Sequence, residues 1–194
     1  RINTKSYNYL MFIKPKEVIE FLSSHLFLLS GWSIADFGCG GGYFTTLLAE
    51  KTGPDGKVFA IDSQEDAIKE TKELAELLGF QNIEFHKANL KKTAFENNFF
   101  DLIFISQVLF QNNKVKNKFS NVSFSAVEEI ISEAKRVLRD GGYMVLLEPK
   151  NQLNFLYGDI VEKDKILSII KNQGLNLVID KEFHENYYII VVEK

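Results

Sequence analysis

The sequence predicts an α/β fold, a three-layer, doubly wound, Rossmann-like arrangement with helices on both faces of a mainly parallel sheet. Three observations carry this. Short apolar runs alternate with amphipathic helical patterns along nearly the whole chain. A glycine-rich turn, Gly38-Cys39-Gly40-Gly41-Gly42, joins the first such run to a helix. The last two strand-like runs are separated by only His184-Glu185-Asn186, a link too short for anything but an antiparallel pair.

Taken in order, residues 1–14 form an arm carrying Tyr7, Tyr9, Leu10, Met11, Phe12 and Ile13 among polar neighbours. Pro15 suits a first helical turn. Val18, Ile19, Leu22, Leu26 and Leu29 then recur at helical spacing, which predicts a helix over 15–29. The first strand, 33–37, brings Asp36 to its carboxyl end, and a helix is expected from Thr45 to Glu50. Gly53-Pro54-Asp55-Gly56 is a turn, followed by a strand over 57–62 that ends in Asp62. Asp62 lies 24 positions after Gly38, close to the spacing of about 20 at which doubly wound folds place a ribose-binding carboxylate. Its other reading is a helix cap, a role Ser63 can fill equally well.

Residues 64–79 are amphipathic, with Ala67, Ile68, Thr71, Leu74, Ala75 and Leu78 on one face and Gly79 as the stop. A third strand over 82–87 runs into Ala88-Asn89-Leu90, with His86 read as a surface residue near its end. The fourth, 99–106, is apolar throughout and so is expected to be central, covered on both faces. Ligands of open α/β sheets bind beyond the carboxyl ends of such strands, which marks Ser106, Gln107, Val108 and Leu109. Residues 111–124 form a polar loop in which Lys114, Lys116 and Lys118 either are solvated or meet an anionic substrate. A helix over 126–139, a Gly141-Gly142 stop, a fifth strand over 143–148, a helix over 162–173 and strands near 176–183 and 187–193 complete the pattern.

Composition fits one domain over residues 1–194, with 45% hydrophobic and 25% charged residues. The formal net charge of −3 offers no basic field, which argues against nucleic acid as partner. Cys39 is the only cysteine, so no internal disulfide forms; this fits a reducing cytoplasm. The first residues lack both an initiator methionine and the apolar core of a signal peptide, and no run reaches the ~20 apolar residues of a membrane span. A monomer or weak dimer is expected.

The glycine turn does not suit a dinucleotide. The third glycine of that motif falls on Tyr43 here, and no lysine follows as in a P-loop. Asp36-Phe37-Gly38-Cys39-Gly40-Gly41-Gly42 instead resembles the first motif of the class I S-adenosylmethionine-dependent methyltransferases, Asp-x-Gly-x-Gly-x-Gly. Residues 136–142, Arg-Val-Leu-Arg-Asp-Gly-Gly, are similar to the family's Arg-Val-Leu-Lys-Pro-Gly-Gly segment, with Asp140 in place of proline. Over residues 12–194 the pattern is most like small quinone-biosynthesis and arsenite-type members.

That resemblance implies a seven-stranded sheet of order 3-2-1-4-5-7-6 with the last strand antiparallel. It implies S-adenosylmethionine as cofactor, with S-adenosylhomocysteine as product. The cofactor would be bound by Asp36, Gly38, Cys39, Gly40, Gly42, Tyr43, Asp62, Ser63, Asn89, Leu90, Ser106 and Gln107. Asn89 stands where the family usually has an acid that accepts the adenine amino group; an amide oxygen can accept the same bond. The arm, with Tyr7, Tyr9 and Phe12, becomes a candidate lid.

Methyl transfer is an in-line displacement catalysed mainly by positioning and exclusion of water. A general base is needed only where the acceptor keeps its proton, and no catalytic residue stands out. Several acceptor classes lack their signatures. Ser106-Gln107-Val108-Leu109 is not the Pro-Pro-aromatic motif of nucleobase amino methylation. No cysteine beyond the turn serves cytosine C5 methylation, and Ser106 replaces the acid of metal-dependent catechol enzymes, so no metal is expected. One cysteine cannot serve arsenite, and the paired-glutamate loop of arginine methyltransferases is missing. A small-molecule acceptor is the expectation, with Tyr7, Glu148 and Tyr157 as candidate contacts. The alternative is a non-catalytic S-adenosylmethionine-binding regulatory or accessory protein.

Overall fold

The computed structural model describes residues 14–26, 30–109, 125–150, 161–184 and 186–194. Its elements are α1 (Pro15–Leu26), β1 (Ser33–Phe37), α2 (Tyr43–Thr52), β2 (Lys57–Asp62), α3 (Glu65–Leu78), β3 (Ile83–Lys87), β4 (Phe100–Ser106), α4 (Ser125–Val137), β5 (Leu138–Pro149), α5 (Lys163–Asn172), β6 (Asn176–Phe183) and β7 (Tyr187–Glu193). The seven strands form one sheet of order β3-β2-β1-β4-β5-β7-β6, as expected. β1, β2 and β3 pair in parallel, as do β4 and β5, whereas β7 runs antiparallel to both β5 and β6.

The residues cluster into two compact units, one through Ala88 and one from Asn89. In the first, Ile34, Ala35 and Phe37 of β1 and Val58, Ala60 and Ile61 of β2 are buried. Val18, Ile19, Leu22 and Leu26 of α1 and Leu48 of α2 are buried as well, the apolar positions that define those helices. In the second, Leu102 to Ile105 of β4, Met144 to Leu147 of β5 and Tyr187 to Val192 of β7 are buried throughout. Continuous apolar strands of this kind need cover on both faces. Val127, Ile130, Ile131, Ala134 and Val137 of α4 and Ile166, Ile169 and Ile170 of α5 are among the buried helical residues of this unit.

Several element boundaries differ from the sequence reading, most of them by one or two residues. α2 starts at Tyr43, not Thr45, because Gly42 takes a left-handed conformation (φ 81°) and serves as the N-cap. α4 ends at Val137, and Leu138 already pairs with Phe100; the register then shifts, and Leu102 pairs with Tyr143. Arg139 to Gly142 lie in that irregularity, where a Cβ on Gly142 would sit 2.8–2.9 Å from Leu138 Cδ1, the Arg139 carbonyl and the Asp101 carbonyl. α3 starts at Glu65, with Gln64 as N-cap and no side-chain cap, so Ser63 does not fill that role. Its predicted apolar face is only partly used: Thr71 and Ala75 are buried, but Leu78 is 56% exposed. α3 packs on β2 and on β3, the edge strand of the sheet. Leu29, at the end of the first predicted helix, lies outside the described residues, as do the arm and the 111–124 loop.

Candidate functional site

The glycine turn is built from backbone hydrogen bonds that tie β1 to β2. The N–H groups of Gly38 and Cys39 both donate to the Ile61 carbonyl, at 2.7 and 3.1 Å. The Gly42 N–H closes the turn on the Cys39 carbonyl at 2.9 Å, and Thr46 N–H donates to the Gly42 carbonyl as α2 begins. Gly40 and Gly42 both have positive φ, 52° and 81°, but differ in what surrounds them. A Cβ on Gly42 would lie 2.8 Å from Thr71 Cγ2 and 2.9 Å from Thr71 Cα, so this glycine lets the turn close against α3. A Cβ on Gly40 would meet nothing within 4 Å among the described residues. Space left at a positive-φ glycine is space for a ligand to reach the main chain. Gly42 thus has the close-packing role that a dinucleotide motif gives to the next position, which here holds half-buried Tyr43, its ring beside Gly41.

Asp62 closes the turn from the end of β2. Its Oδ2 accepts the Gly40 N–H at 3.2 Å and its Oδ1 the Gln64 N–H at 2.9 Å. Each oxygen therefore has one backbone donor and one lone pair in reserve, which fixes the carboxylate while leaving two acceptor sites. That is the requirement for holding a ribose diol. Ser63, next to it, is exposed.

Asp36 sits beneath the turn, 2% exposed, with its Oδ2 accepting the Thr45 hydroxyl at 2.6 Å. Burial pushes its pKa up to about 7, against the lowering effect of the Thr45 bond and with a further push from the Asp62 charge. Cys39 is buried too; desolvation first, then the Asp36 carboxylate, hold its thiol well above the usual range, so it is no nucleophile. The Thr71 hydroxyl lies 3.4 Å from Cys39 Sγ and donates to the Gly40 carbonyl at 2.9 Å. Thr45 and Thr71 thus set the turn from below. Periodicity counts Thr71 as one more inward residue and gives no sign of these bonds.

The remaining predicted residues belong to the second unit. Asn89 is exposed and Leu90 is buried. Asn89 Oδ1 accepts the Lys91 N–H at 3.0 Å and its carbonyl the Lys92 N–H at 3.0 Å, a tight side-chain-capped turn. At the carboxyl end of β4, Ser106 Oγ is buried with no hydrogen-bond partner among the described residues. Gln107 follows with φ 56°, its N–H donating to the Leu147 carbonyl at 2.9 Å. Glu148, 2% exposed at the end of β5, uses Oε1 to accept the N–H groups of Val108 and Leu109, both at 3.1 Å. His86 pairs with Glu84 at 3.3 Å and stacks on Phe59, away from the glycine turn in the hydrogen-bond pattern. Tyr7, Tyr9, Phe12, Lys114, Lys116, Lys118 and Tyr157 lie outside the described residues.

A family model described as a methyltransferase domain matches residues 28–185, most of the chain. The chain belongs to the class I S-adenosylmethionine-dependent methyltransferases. S-adenosylmethionine is the cofactor of that family, and the open Gly40 backbone with the two spare acceptor sites of Asp62 fits it. A demethylmenaquinone methyltransferase of Lactococcus lactis is 31% identical over 134 residues, 69% of this chain and 48% of that protein. One from Geobacillus stearothermophilus is 29% identical over 118 residues, 61% of this chain and 45% of that one. The chain spans about half the length of these relatives. Among solved structures, a SAM-dependent methyltransferase from Aquifex aeolicus superposes with a TM-score of 0.76 at 22% identity, covering 94% of this chain and 90% of that one. The cyclase SpnF shares the fold equally well, with a TM-score of 0.74 at 14% identity over 92% and 80% of the two chains. Fold alone therefore does not select the reaction. Among the described residues, no helix is long and apolar enough to cross a membrane.

Proposed function

We propose that this chain binds S-adenosylmethionine and transfers its methyl group to a small, quinol-type acceptor. The observation that carries the cofactor part is the Gly40–Asp62 pairing, an open glycine backbone bonded to a carboxylate that keeps two acceptor sites. Gly38, Gly40, Gly42 and Tyr43 would line the methionine end, with Asp36 and Cys39 shaping the turn from below. Asp62 and Ser63 would meet the ribose. The Ala88 N–H is bonded to the Asp62 carbonyl at 2.9 Å, so the chain leaves β3 beside that carboxylate and continues into Asn89 and Leu90, proposed to meet the adenine. Ser106 and Gln107 complete the set, the buried Ser106 hydroxyl supplying a polar group that has no partner among the described residues.

The bound cofactor supplies an electrophilic methyl on a good leaving group. The protein then has to orient the acceptor and exclude water, and the proton that a quinol-type acceptor loses on methylation passes to a base or to solvent at the acceptor end. The relatives are named for demethylmenaquinone, which supports a quinone-type acceptor, taken here in its electron-rich reduced form because the methyl is electrophilic, and the absence of nucleobase signatures and of a basic field supports a small molecule over nucleic acid. The methyltransferase-domain match crosses from one compact unit to the other, which supports one functional domain. A cytoplasmic protein, monomeric or weakly dimeric and working without a metal, completes the proposal.

Calorimetric titration with S-adenosylmethionine, S-adenosylhomocysteine and NAD, each alone, tests the cofactor. Micromolar binding of the first two and none of NAD is expected; binding of NAD alone overturns the reading. Transfer of labelled methyl to demethylmenaquinol-type compounds then tests the acceptor. Tight binding with no transfer to any compound favours the accessory-protein alternative.

A further inference from the structure

The stretch Cys39 to Gly42 is a β-turn closed by the Gly42 N–H on the Cys39 carbonyl, with Gly40 and Gly41 at its centre. Gly40 has φ 52° whereas Gly41 has no positive φ, the combination of a type II′ turn. Type I′ also begins with a positive φ and differs from type II′ mainly by reversal of the central peptide. Glycine takes either conformation at both central positions without steric cost. The pair Gly40-Gly41 therefore leaves the direction of the peptide between them open, and a contact from outside the turn has to fix it.

Thr71 of α3 supplies that contact. Fully buried, it donates its hydroxyl to the Gly40 carbonyl at 2.9 Å. It is also packed against the turn itself, since a Cβ on Gly42 would stand 2.8 Å from Thr71 Cγ2. Reversal of the peptide would leave the buried hydroxyl with the Cys39 sulfur at 3.4 Å, a weak acceptor.

The Gly40–Gly41 peptide is planar and trans, so the Gly41 N–H points opposite to the Gly40 carbonyl. With the carbonyl turned to α3, that N–H is turned away from α3, and no acceptor among the described residues meets it. The preceding N–H, that of Gly40, is already taken by Asp62. Reversal would put a carbonyl oxygen where the Gly41 donor stands, and a group that attracts an anion would become one that repels it.

We propose that Thr71 is a positioning residue of the cofactor site: by holding the Gly40 carbonyl it aims the Gly41 N–H at the carboxylate of the cofactor's methionine end. Thr71 is buried and touches no ligand; it decides which polarity the turn presents. The inference rests on the reading above in which this turn lines the methionine end.

The test is calorimetry on the full chain with S-adenosylhomocysteine and with S-adenosyl-3-thiopropylamine, which keeps the nucleoside, thioether and amine and lacks only the carboxylate. Wild type is expected to prefer the carboxylate compound by about 10- to 100-fold, the worth of one charge-assisted hydrogen bond. Thr71→Val keeps the shape of the side chain and loses the hydroxyl. It should weaken S-adenosylhomocysteine, leave the amine compound unchanged and bring the ratio toward unity. Thr71→Ser regains the hydroxyl and should restore the ratio; a ratio that stays low overturns the proposal. Where Thr71→Val fails to fold, the Gly41 amide proton resonance of wild type decides. It should move downfield with S-adenosylhomocysteine and not with the amine compound, and equal behaviour with both overturns the proposal. A folded Thr71→Val variant with an unchanged ratio overturns the role of Thr71 and leaves the cofactor reading standing. Equal weakening of both compounds overturns it too, since general loosening then explains the loss. A wild type that binds both equally overturns the proposal alone, whereas one that binds neither overturns the cofactor reading and the proposal with it.

Discussion

The Gly40 N–H donates to Asp62 Oδ2 at 3.2 Å, joining the middle of the glycine turn to the acid at the end of the neighbouring strand. With the Gln64 N–H on the other oxygen, the bond holds the carboxylate at a fixed angle. Asp62→Ala removes both the anchor and the two acceptor sites. Hydrogen bonds to a charged group are worth about 1.5–3 kcal/mol each, so two of them make about 3 kcal/mol or more, over ~100-fold in Kd. Calorimetry with S-adenosylhomocysteine should show that loss while circular dichroism keeps the wild-type signature. Unchanged affinity would remove Asp62 from the site.

Gly40 and Gly42 separate binding from stability. Gly40→Val fills open space, so its cost to folding is limited to the positive φ, about 1–2 kcal/mol, while cofactor binding should be lost. Gly42→Ala drives a Cβ to within 2.9 Å of the Thr71 backbone at φ 81° and should lower the thermal midpoint far more. Melting curves and titrations of the two variants, run side by side, check the contrast. If Gly40→Val binds normally, the turn is structural only.

The strand order and the terminal hairpin were legible because continuous apolar runs and glycine stops have few readings. Strands at 33–37, 57–62, 176–183 and 187–193 stand where the pattern puts them. The start of β5 was hidden because Arg139-Asp140-Gly141-Gly142 reads as a helix stop whether the strand begins before or after it. Leu78 misled for a different reason: periodicity defines a face but not where the sheet beneath it ends. In the candidate site, Asp62 and the glycines announce themselves by spacing, whereas Thr45 and Thr71 act through bonds of 9 and 31 positions' separation that no local pattern encodes. The alternating pattern placed Glu148 at a strand end. It could not show that the residue bonds to the backbone of Val108 and Leu109.

Glu148 therefore reads first as a structural anchor. Glu148→Ala strands two buried N–H groups, at about 1–3 kcal/mol apiece, and should lower the denaturant midpoint markedly. Glu148→Gln keeps an amide oxygen for both donors and should recover most of that stability. If Glu148→Gln is stable and binds cofactor yet loses methyl transfer, the carboxylate also acts on the acceptor. Equal urea midpoints for wild type and Glu148→Ala would refute the anchor.

Asp36 gives the protein a pH dependence of definite sign. An acid whose pKa rises from 3.8 in the unfolded chain to about 7 in the folded one binds its proton more tightly when folded. Between those values the native state holds more protons than the unfolded state, so stability falls as pH rises from about 4 to about 7 and then levels off. The cause is first the burial of the charge and then, opposing it, the Thr45 hydrogen bond. At 1.36 kcal/mol per pKa unit the full effect is of the order of 4 kcal/mol. Asp36→Asn keeps an oxygen for Thr45 but never ionises. Subtracting its unfolding free energy from that of wild type, measured in urea between pH 4 and pH 8, isolates the term. The difference should drift against wild type as pH rises and flatten above about 7. A difference that stays level across that range would mean that Asp36 ionises in the folded protein as it does in water.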